Sequence, residues 1–217
     1  MNPSNLSLQS QLDARKADFE AKASVELKTI YAEGLQAVEK SGLLKTAKSS
    51  GLAPDFTLTN AVGRSVTLSH EWKKGPVILT WYRGGWCPYC NLTLAYLQES
   101  LPLFQSFKAQ LLALTPELPD KSLSTKEKHN LQFEVLSDVG NKVAREYGIV
   151  FKLTEAVAQS YQKSFDLHSY NGDTSDELPL AATYIIDTQG MIRYAFLDVE
   201  YRRRAEPEEL LKVLRSL

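Results

Sequence analysis

Two cysteines, the only ones in the 217-residue chain, stand two residues apart in Cys87-Pro88-Tyr89-Cys90. An apolar, strand-like run from Val77 to Tyr82 precedes them, and a helix-like pattern of leucines follows them. At the start of a helix, aligned peptide dipoles and free N–H groups favour a thiolate over a thiol. Two thiols at this spacing can form a disulfide, so the pair indicates reversible dithiol–disulfide chemistry.

Residues beside the two cysteines fit the same chemistry. Pro88 suits the first helical position, where its missing N–H is not needed. Arg83 precedes the pair in a glycine-containing loop, and its guanidinium would stabilise a nearby thiolate. The alternative for Arg83 is an exposed loop charge, since most arginines lie at the surface. We expect Trp86 and Tyr89 to shape a contact surface around the pair, and Trp81 to lie in the core.

Other uses of a cysteine pair are less consistent with this sequence. A structural zinc site needs four ligands, and the remaining candidates, His70, His129 and His168, are isolated from one another. We therefore predict no metal site and no cofactor. Two buried structural cysteines remain an alternative, because free cysteine often behaves as a small hydrophobic residue. His129 and His168 lie in polar stretches and are not expected to act in acid–base catalysis.

The composition excludes several classes of protein. The chain is 43% hydrophobic and 24% charged with a net charge of −1, which is typical of a soluble globular protein and argues against a nucleic-acid-binding surface. The basic run at 202–204 lies among glutamates and is interpreted as a solvated, balanced face. No apolar run approaches the ~20 residues of a membrane span. The first residues lack the apolar core of a signal peptide, so we expect the cytoplasm, where such a cysteine pair is more often catalytic than structural.

The chain divides into two predicted parts, an N-terminal helical extension (1–50) and a main domain (51–217). Apolar residues in the extension recur at three- and four-residue steps and form one stripe. This stripe fits either a dimer contact or helices folded back on the body, because both bury the same face. We expect a homodimer. The residues of the stripe are Leu8, Leu12, Phe19, Ala23, Leu27, Ile30 and Tyr31.

In the main domain, strand-like and helix-like segments alternate. This order predicts an α/β fold with a central mixed sheet and helices on both faces. The predicted strands cover 56–58, 66–68, 77–82, 110–114, 133–136, 182–187 and 191–196. The predicted helices follow the cysteine pair and cover 120–129, 138–147, 154–167 and 207–217, with a short helical link at 69–74.

Several separated motifs together resemble one known family. They are Ala53-Pro54-Asp55-Phe56, the segment from Trp81 to Cys90, Leu136-Ser137-Asp138 and the strand from Ala182 to Asp187. From about residue 50 to its end, the chain resembles the peroxiredoxin-like branch of the alkyl hydroperoxide reductase/thiol-specific antioxidant superfamily. The resemblance implies a thioredoxin-like fold that reduces hydrogen peroxide or organic hydroperoxides. A peroxidatic cysteine becomes a sulfenic acid, a second thiol resolves it, and thioredoxin or a glutathione-type thiol restores the dithiol.

The sequence departs from the family pattern at two places. Peroxiredoxins carry P-x-x-x-T-x-x-C, which places the peroxidatic cysteine at Cys90 but Cys87 where threonine is expected and Arg83 where proline is expected. The arginine of the family, and the cis-proline of thioredoxins, would fall near Ala181. We therefore expect Arg83 to replace that arginine. The resemblance also predicts that Thr183 faces the thiols.

Two other functions compete with a peroxidase. Cys-Pro-Tyr-Cys is identical to the glutaredoxin active-site tetrapeptide, which implies a thiol–disulfide oxidoreductase in which Cys87 attacks and Cys90 resolves. The third possibility is a non-enzymatic redox-sensing dimer on the same fold. The family alignment favours Cys90 as the first thiol to react, whereas expected exposure at the helix start favours Cys87. We predict a thiol-dependent peroxidase that uses this pair and is regenerated by thioredoxin or a similar thiol.

Overall fold

The computed structural model describes residues 7–217, and the first six residues of the predicted extension lie outside them. The helices are α1 (Leu8–Lys22), α2 (Val25–Lys40), α3 (Leu43–Thr46), α4 (Leu68–Trp72), α5 (Pro88–Ser106), α6 (Pro119–Lys128), α7 (Lys142–Glu146), α8 (Glu155–Phe165), α9 (Leu167–Asn171) and α10 (Pro207–Arg215). The strands are β1 (Gly51–Leu52), β2 (Thr57–Asn60), β3 (Ser65–Thr67), β4 (Val77–Trp81), β5 (Gln110–Thr115), β6 (Glu134–Ser137), β7 (Val150–Lys152), β8 (Glu177–Pro179), β9 (Thr183–Ile186) and β10 (Met191–Phe196).

A mixed eight-stranded sheet in the order β1-β10-β9-β4-β5-β6-β2-β3 forms the centre of the molecule. Strand β4 lies in its middle, parallel to β5 and antiparallel to β9. The remaining strands, β7 and β8, form a separate antiparallel pair. The predicted mixed sheet with helices on both faces is confirmed.

Every residue of β4 is buried, because both faces of the sheet are covered. Side chains alternate between the faces along a strand, so Ile78 packs with residues of α5 and α10. Its neighbours Val77 and Leu79 point the other way and pack with α4 and α7. The strand that leads into the cysteine pair is therefore fixed from both sides.

The shortest strands are the elements that the sequence patterns predict least well. The predicted second hairpin strand, 66–68, is shifted by one residue, since Leu68 already begins α4. Strands β1, β7 and β8, of two or three residues, were not predicted, because so few residues show no periodicity. Helix α7 begins at Lys142, four residues later than predicted, and the Asp138 carboxylate accepts the N–H groups of Val143 and Ala144 in its first turn at 3.0 and 2.9 Å.

The N-terminal extension packs against the main domain of its own chain. Leu8 and Leu12 of α1 are fully buried in the cluster that α5 and α10 also line. The carboxylate of Glu206 accepts the N–H groups of Leu8 and Gln9 at 3.2 and 2.7 Å and so satisfies the start of α1. This carboxylate holds the N-terminal helix against the segment that leads into α10.

Helix α2 docks on α8 in a similar way. The ring of Tyr31 meets the ring of Tyr161 edge-on, with centroids 5.6 Å apart, and its hydroxyl lies 3.3 Å from the Ser160 hydroxyl. Phe19 stacks on the other side of Tyr31 at 5.7 Å. Of the two explanations for the apolar stripe, the structure shows helices folded back on the body. The stripe therefore gives no argument for the homodimer, which stays a prediction.

Replacing Leu12 with alanine tests this packing. Removing a fully buried leucine side chain leaves a cavity, so Leu12→Ala is expected to lower the free energy of unfolding by about 2–5 kcal/mol. Val25→Ala, at a side chain that is 77% exposed on α2, is the matched control and should change it by less than about 0.5 kcal/mol. Denaturant unfolding at two protein concentrations measures both. A loss that depends on protein concentration would instead place Leu12 in a contact between copies.

Candidate active site

The loop after β4 is shaped by two glycines that side chains crowd. At Gly84, with φ of +152°, a Cβ would come within 2.2 Å of the Trp86 indole nitrogen. At Gly85 a Cβ would come within 2.1 Å of the Thr125 hydroxyl on α6. The loop therefore packs its backbone directly against neighbouring side chains, and it delivers Cys87 to the start of α5.

Both thiols lie at the first turn of α5. Cys87 is the residue that precedes the helix, with extended backbone angles, and Pro88 occupies the first helical position as predicted. The thiols are free, and Cys87 and Cys90 are 1% and 0% exposed. The expected exposure of Cys87 is therefore wrong, because the aromatic and arginine residues around the helix start cover it as completely as Cys90.

The environment separates the acidities of the two thiols. Burial raises the pKa of Cys87 well above its usual value, and the neighbouring Cys90 sulfur raises it further. Burial would raise the pKa of Cys90 too, but the Cys87 thiol hydrogen bond and the charges of Arg204 and Arg83 lower it to about 5. Near neutral pH the pair is one thiolate, Cys90, next to one protonated thiol, Cys87.

Arg204 touches the thiolate directly. Its Nη2 lies 3.6 Å from the Sγ of Cys90, and the residue is 5% exposed. Its other terminal nitrogen donates to the backbone carbonyls of Tyr201 and Arg203, which fixes the direction of the guanidinium. Among the described residues, no carboxylate pairs with Arg204, so the Cys90 thiolate is the anion that it meets.

Arg83 is buried among aromatic rings and is not the exposed loop charge considered above. It is 3% exposed and donates a hydrogen bond of 2.5 Å to the Tyr161 hydroxyl. Its guanidinium carbon lies 4.1 Å from the ring centroid of Tyr201 and 4.9 Å from that of Trp86. A cation held in this way adds a fixed positive charge beside both thiols.

Glu117 is a buried carboxyl group that follows the end of β5. It faces the loop between β4 and α5. It is 0% exposed and accepts the Gly85 N–H at 2.9 Å. Burial raises the pKa of Glu117 to about 7; the Gly85 N–H opposes this rise, and the charge of Cys90 adds to it. Besides the two thiols, the site therefore contains a carboxyl group that can change its protonation near neutral pH.

The other predicted residues are distributed between the site and the core. Trp86 is half-buried and stacks on Phe165 with ring centroids 4.3 Å apart, next to Arg83. Tyr89 is 5% exposed and packs against Tyr201, so the expectation that Tyr89 forms a contact surface is wrong. Thr183 is buried and its hydroxyl lies 2.9 Å from that of Thr80 on β4. Its role toward the thiols stays a prediction.

The interpretation of the arginine run at 202–204 as a solvated face is wrong for two of its three residues. Arg203 has a side chain that is 66% exposed, as expected for a solvated face, but Arg202 and Arg204 are 7% and 5% exposed. Arg202 pairs with Glu200 at 2.7 Å, and Arg204 reaches the Cys90 sulfur.

Sequence patterns also do not single out Glu117 as a site residue. The available signals were weak: a tyrosine before the run, an alanine after it, and a glutamate one residue beyond a strand-ending Thr-Pro.

The two histidines considered above lie on helices around the site. His168 on α9 lies 2.8 Å from Asp176, and His129, half-buried at the end of α6, lines a pocket with Pro88 and Asn91 of α5. Within residues 7–217, no three His, Cys, Asp or Glu side chains are grouped as metal ligands. In the same range, no helix is both long and apolar enough to cross a bilayer.

The chain is similar to known proteins in both sequence and structure. The AhpC/TSA family pattern matches residues 51–195. The chain belongs to the AhpC/TSA family. Peroxiredoxin Q, chloroplastic, of Oryza sativa subsp. japonica is 29% identical over 177 residues, which are 80% of this chain and 69% of that protein.

Solved structures extend the family assignment to the fold. Peroxidoxin BcpB from Mycobacterium tuberculosis superposes with a TM-score of 0.62 at 19% identity, covering 79% of this chain and 98% of that one. The reduced 2-Cys peroxiredoxin of Plasmodium vivax gives a TM-score of 0.59 at 18% identity, covering 76% and 78%. The peroxiredoxin resemblance and the thioredoxin-like fold are thus confirmed, and the family supports a thiol-dependent peroxidase.

Replacing Arg204 tests its effect on the thiolate. An opposite charge at this distance typically lowers a pKa by about 1–3 units, so Arg204→Met should raise the pKa of Cys90 by that amount from about 5. Because the pKa rises, the thiolate disappears at a higher pH as the solution is acidified. Ultraviolet absorbance of the thiolate against pH measures the midpoint. Arg203→Met, at the exposed neighbour, is the control, and equal midpoints in the two variants would exclude the contact as the cause.

Proposed function

We propose that the Cys90 thiolate attacks a hydroperoxide and that Cys87 resolves the product as a disulfide. The observation that carries this assignment is the contact between the Arg204 guanidinium and the Cys90 sulfur, next to a Cys87 thiol that keeps its proton. It agrees with the family alignment, which places the peroxidatic cysteine at Cys90. Arg204, together with Arg83, supplies the positive charge of the arginine that the sequence lacks near Ala181, a role predicted above for Arg83 alone.

The reaction follows from these protonation states. The Cys90 thiolate attacks the terminal peroxide oxygen, a sulfur–oxygen bond forms, the oxygen–oxygen bond breaks, and the leaving oxygen takes a proton to become an alcohol or water. The Cys87 sulfur then displaces the hydroxyl of the Cys90 sulfenic acid, and water and a disulfide result. Arg204 and Arg83 supply fixed positive charge where negative charge moves from sulfur to oxygen.

Burial of the pair supports a peroxide over a protein disulfide as the first reactant. In a thioredoxin- or glutaredoxin-type reaction, the first cysteine of the pair must meet a disulfide of a second molecule. Cys87 is 1% exposed and its pKa is raised by burial, so it is neither accessible nor ionised. A hydroperoxide is small enough to need only a local opening of the side chains that cover Cys90.

Regeneration requires an external thiol, for which we propose thioredoxin, with a glutathione-type thiol as the alternative. Because both sulfurs are buried in the dithiol form, the side chains that cover the start of α5 must open before a reductant reaches the disulfide. We propose the cytoplasm as the compartment, because its thiol pools keep such a pair reduced. A homodimer is part of this proposal and is tested by the size of the protein in solution.

Single cysteine substitutions test the assignment. NADPH consumption coupled through thioredoxin and its reductase, with hydrogen peroxide as substrate, should fall to background in Cys90→Ser, because the thiolate is gone. In Cys87→Ser catalytic turnover should also stop, but one equivalent of peroxide should still be consumed and leave a sulfenic acid that a sulfenic-acid reagent traps.

The opposite pattern would overturn the roles. A Cys90→Ser protein that still consumes one equivalent of peroxide, with Cys87→Ser inert, would make Cys87 the attacking thiol. Activity on a small disulfide substrate alone, abolished by Cys87→Ser, would replace the peroxidase with an oxidoreductase. If oxidation changes only the size of the protein in solution, the redox-sensing dimer replaces both.

A further inference from the structure

Glu117 is a buried acid that the peroxidase scheme above does not use. It follows β5 in the segment Thr115-Pro116-Glu117, with an exposure of 0%. Its carboxylate oxygens meet the Gly85 N–H at 2.9 Å and the Thr115 hydroxyl at 3.5 Å. Across residues 7–217, no lysine, arginine or histidine forms an ion pair with it. A carboxyl group buried this completely without a cation is stable mainly in its neutral form.

The groups that face Glu117 come from three directions. Tyr82, at the end of β4, and Cys90, on α5, are the titratable groups whose charges act on it. Helix α6 contributes the cation Lys121, but that side chain turns to Asp120 at 3.6 Å and lies over the ring of Tyr170. Glu117 therefore responds to the charge of the thiol site and not to a neighbouring cation.

Tyr82 provides a hydroxyl beside both groups. It is 2% exposed, and burial together with the charges of Glu117 and Cys90 raises its pKa well above the usual value. It therefore stays a neutral hydroxyl that can accept one proton and donate another. Within residues 7–217 this buried hydroxyl makes no hydrogen bond, so it is a free donor and acceptor in the site that also holds the Glu117 carboxyl and the Cys90 sulfur.

We propose that Glu117 is the proton-exchange group of the dithiol cycle: it is protonated while Cys90 is a thiolate, and it gives up this proton to the leaving oxygen when the peroxide oxygen–oxygen bond breaks. The proposal rests on the peroxidase function above. The balance of atoms requires such a proton. Thiolate, thiol, protonated carboxyl and ROOH yield disulfide, carboxylate, ROH and water, with one negative charge and three transferable protons on each side. Without the acid, the same reaction must take one proton from solvent.

This difference can be measured directly in the unaltered protein. With a pH indicator in stopped flow and stoichiometric hydrogen peroxide, uptake at about pH 6 should be clearly below one proton per disulfide. Glu117 is protonated before the reaction, and its pKa falls when oxidation removes the Cys90 charge that raises it. At about pH 8.5 Glu117 is already ionised and cannot donate, so uptake should approach one proton. An uptake of one proton at both pH values would overturn the proposal without touching the peroxidase assignment.

Glu117→Gln removes the proton but keeps an oxygen that can accept the Gly85 N–H. Its uptake should be about one proton per disulfide already at about pH 6, and its rate of peroxide reduction should fall by about 100-fold. Glu127→Gln, at an exposed position on α6, is the matched control and should behave as the unaltered protein. Glu117→Asp, which restores an acid, should lower the uptake again, whereas a purely structural role would leave it at one.

The pH profile gives a readout that does not depend on a variant folding. The rate of peroxide reduction should rise through the pKa of Cys90 at about 5 and fall through that of Glu117 at about 7, because it needs the thiolate and the protonated acid together. In Glu117→Gln the decline at higher pH should be absent. A profile of the unaltered protein that stays level above the Cys90 midpoint would contradict the role of Glu117. Failure of the unaltered protein to reduce peroxide would instead refute the peroxidase function.

Discussion

The interaction on which the site depends is that between the Cys90 thiolate and two guanidinium groups in an interior closed to water. Burying an ion costs several kcal/mol unless a partner compensates it. Within the described part of the chain, neither Arg204 nor Arg83 has a carboxylate partner, so the thiolate balances them and they stabilise the thiolate. The aromatic rings around Arg83 and the carbonyls that bind Arg204 hold these charges in place.

This arrangement explains how the chain keeps the chemistry of its family without the family's residues. The position near Ala181 has no arginine, and Cys87 stands where the family has threonine. The guanidinium comes instead from the segment between β10 and α10, and the residue that replaces threonine is, in our proposal, the resolving thiol. The chain thus provides both a positive charge at the Cys90 sulfur and a second thiol within one helical turn of it.

Local sequence predicted the parts of the fold that depend on local interactions. The strand–loop–helix unit around Cys87 follows from an apolar run, two glycines and a proline at the helix start, and each of these acts within a few residues. The mixed sheet followed from the alternation of strands and helices. The folding back of α1 and α2 could not be separated from dimerisation, because the sequence shows that a face is buried but not what covers it.

The missed site residues reach the thiols from a distance along the chain. Arg204 lies 114 residues beyond Cys90, in a run of arginines that the sequence places among glutamates. Glu117 follows a different strand. Tyr89 was expected at the surface from its place between the cysteines, but Tyr201 covers it. Only the tertiary arrangement shows which members of a charged segment turn inward.

The burial of the guanidinium groups beside the sulfur pair has a thermodynamic consequence. A disulfide carries no charge, so oxidation removes the anion that faces Arg204 and Arg83. Stabilising the reduced form in this way raises the reduction potential of the pair and makes the protein a stronger oxidant. The charges that lower the pKa of Cys90 therefore also favour the return of electrons from a donor thiol.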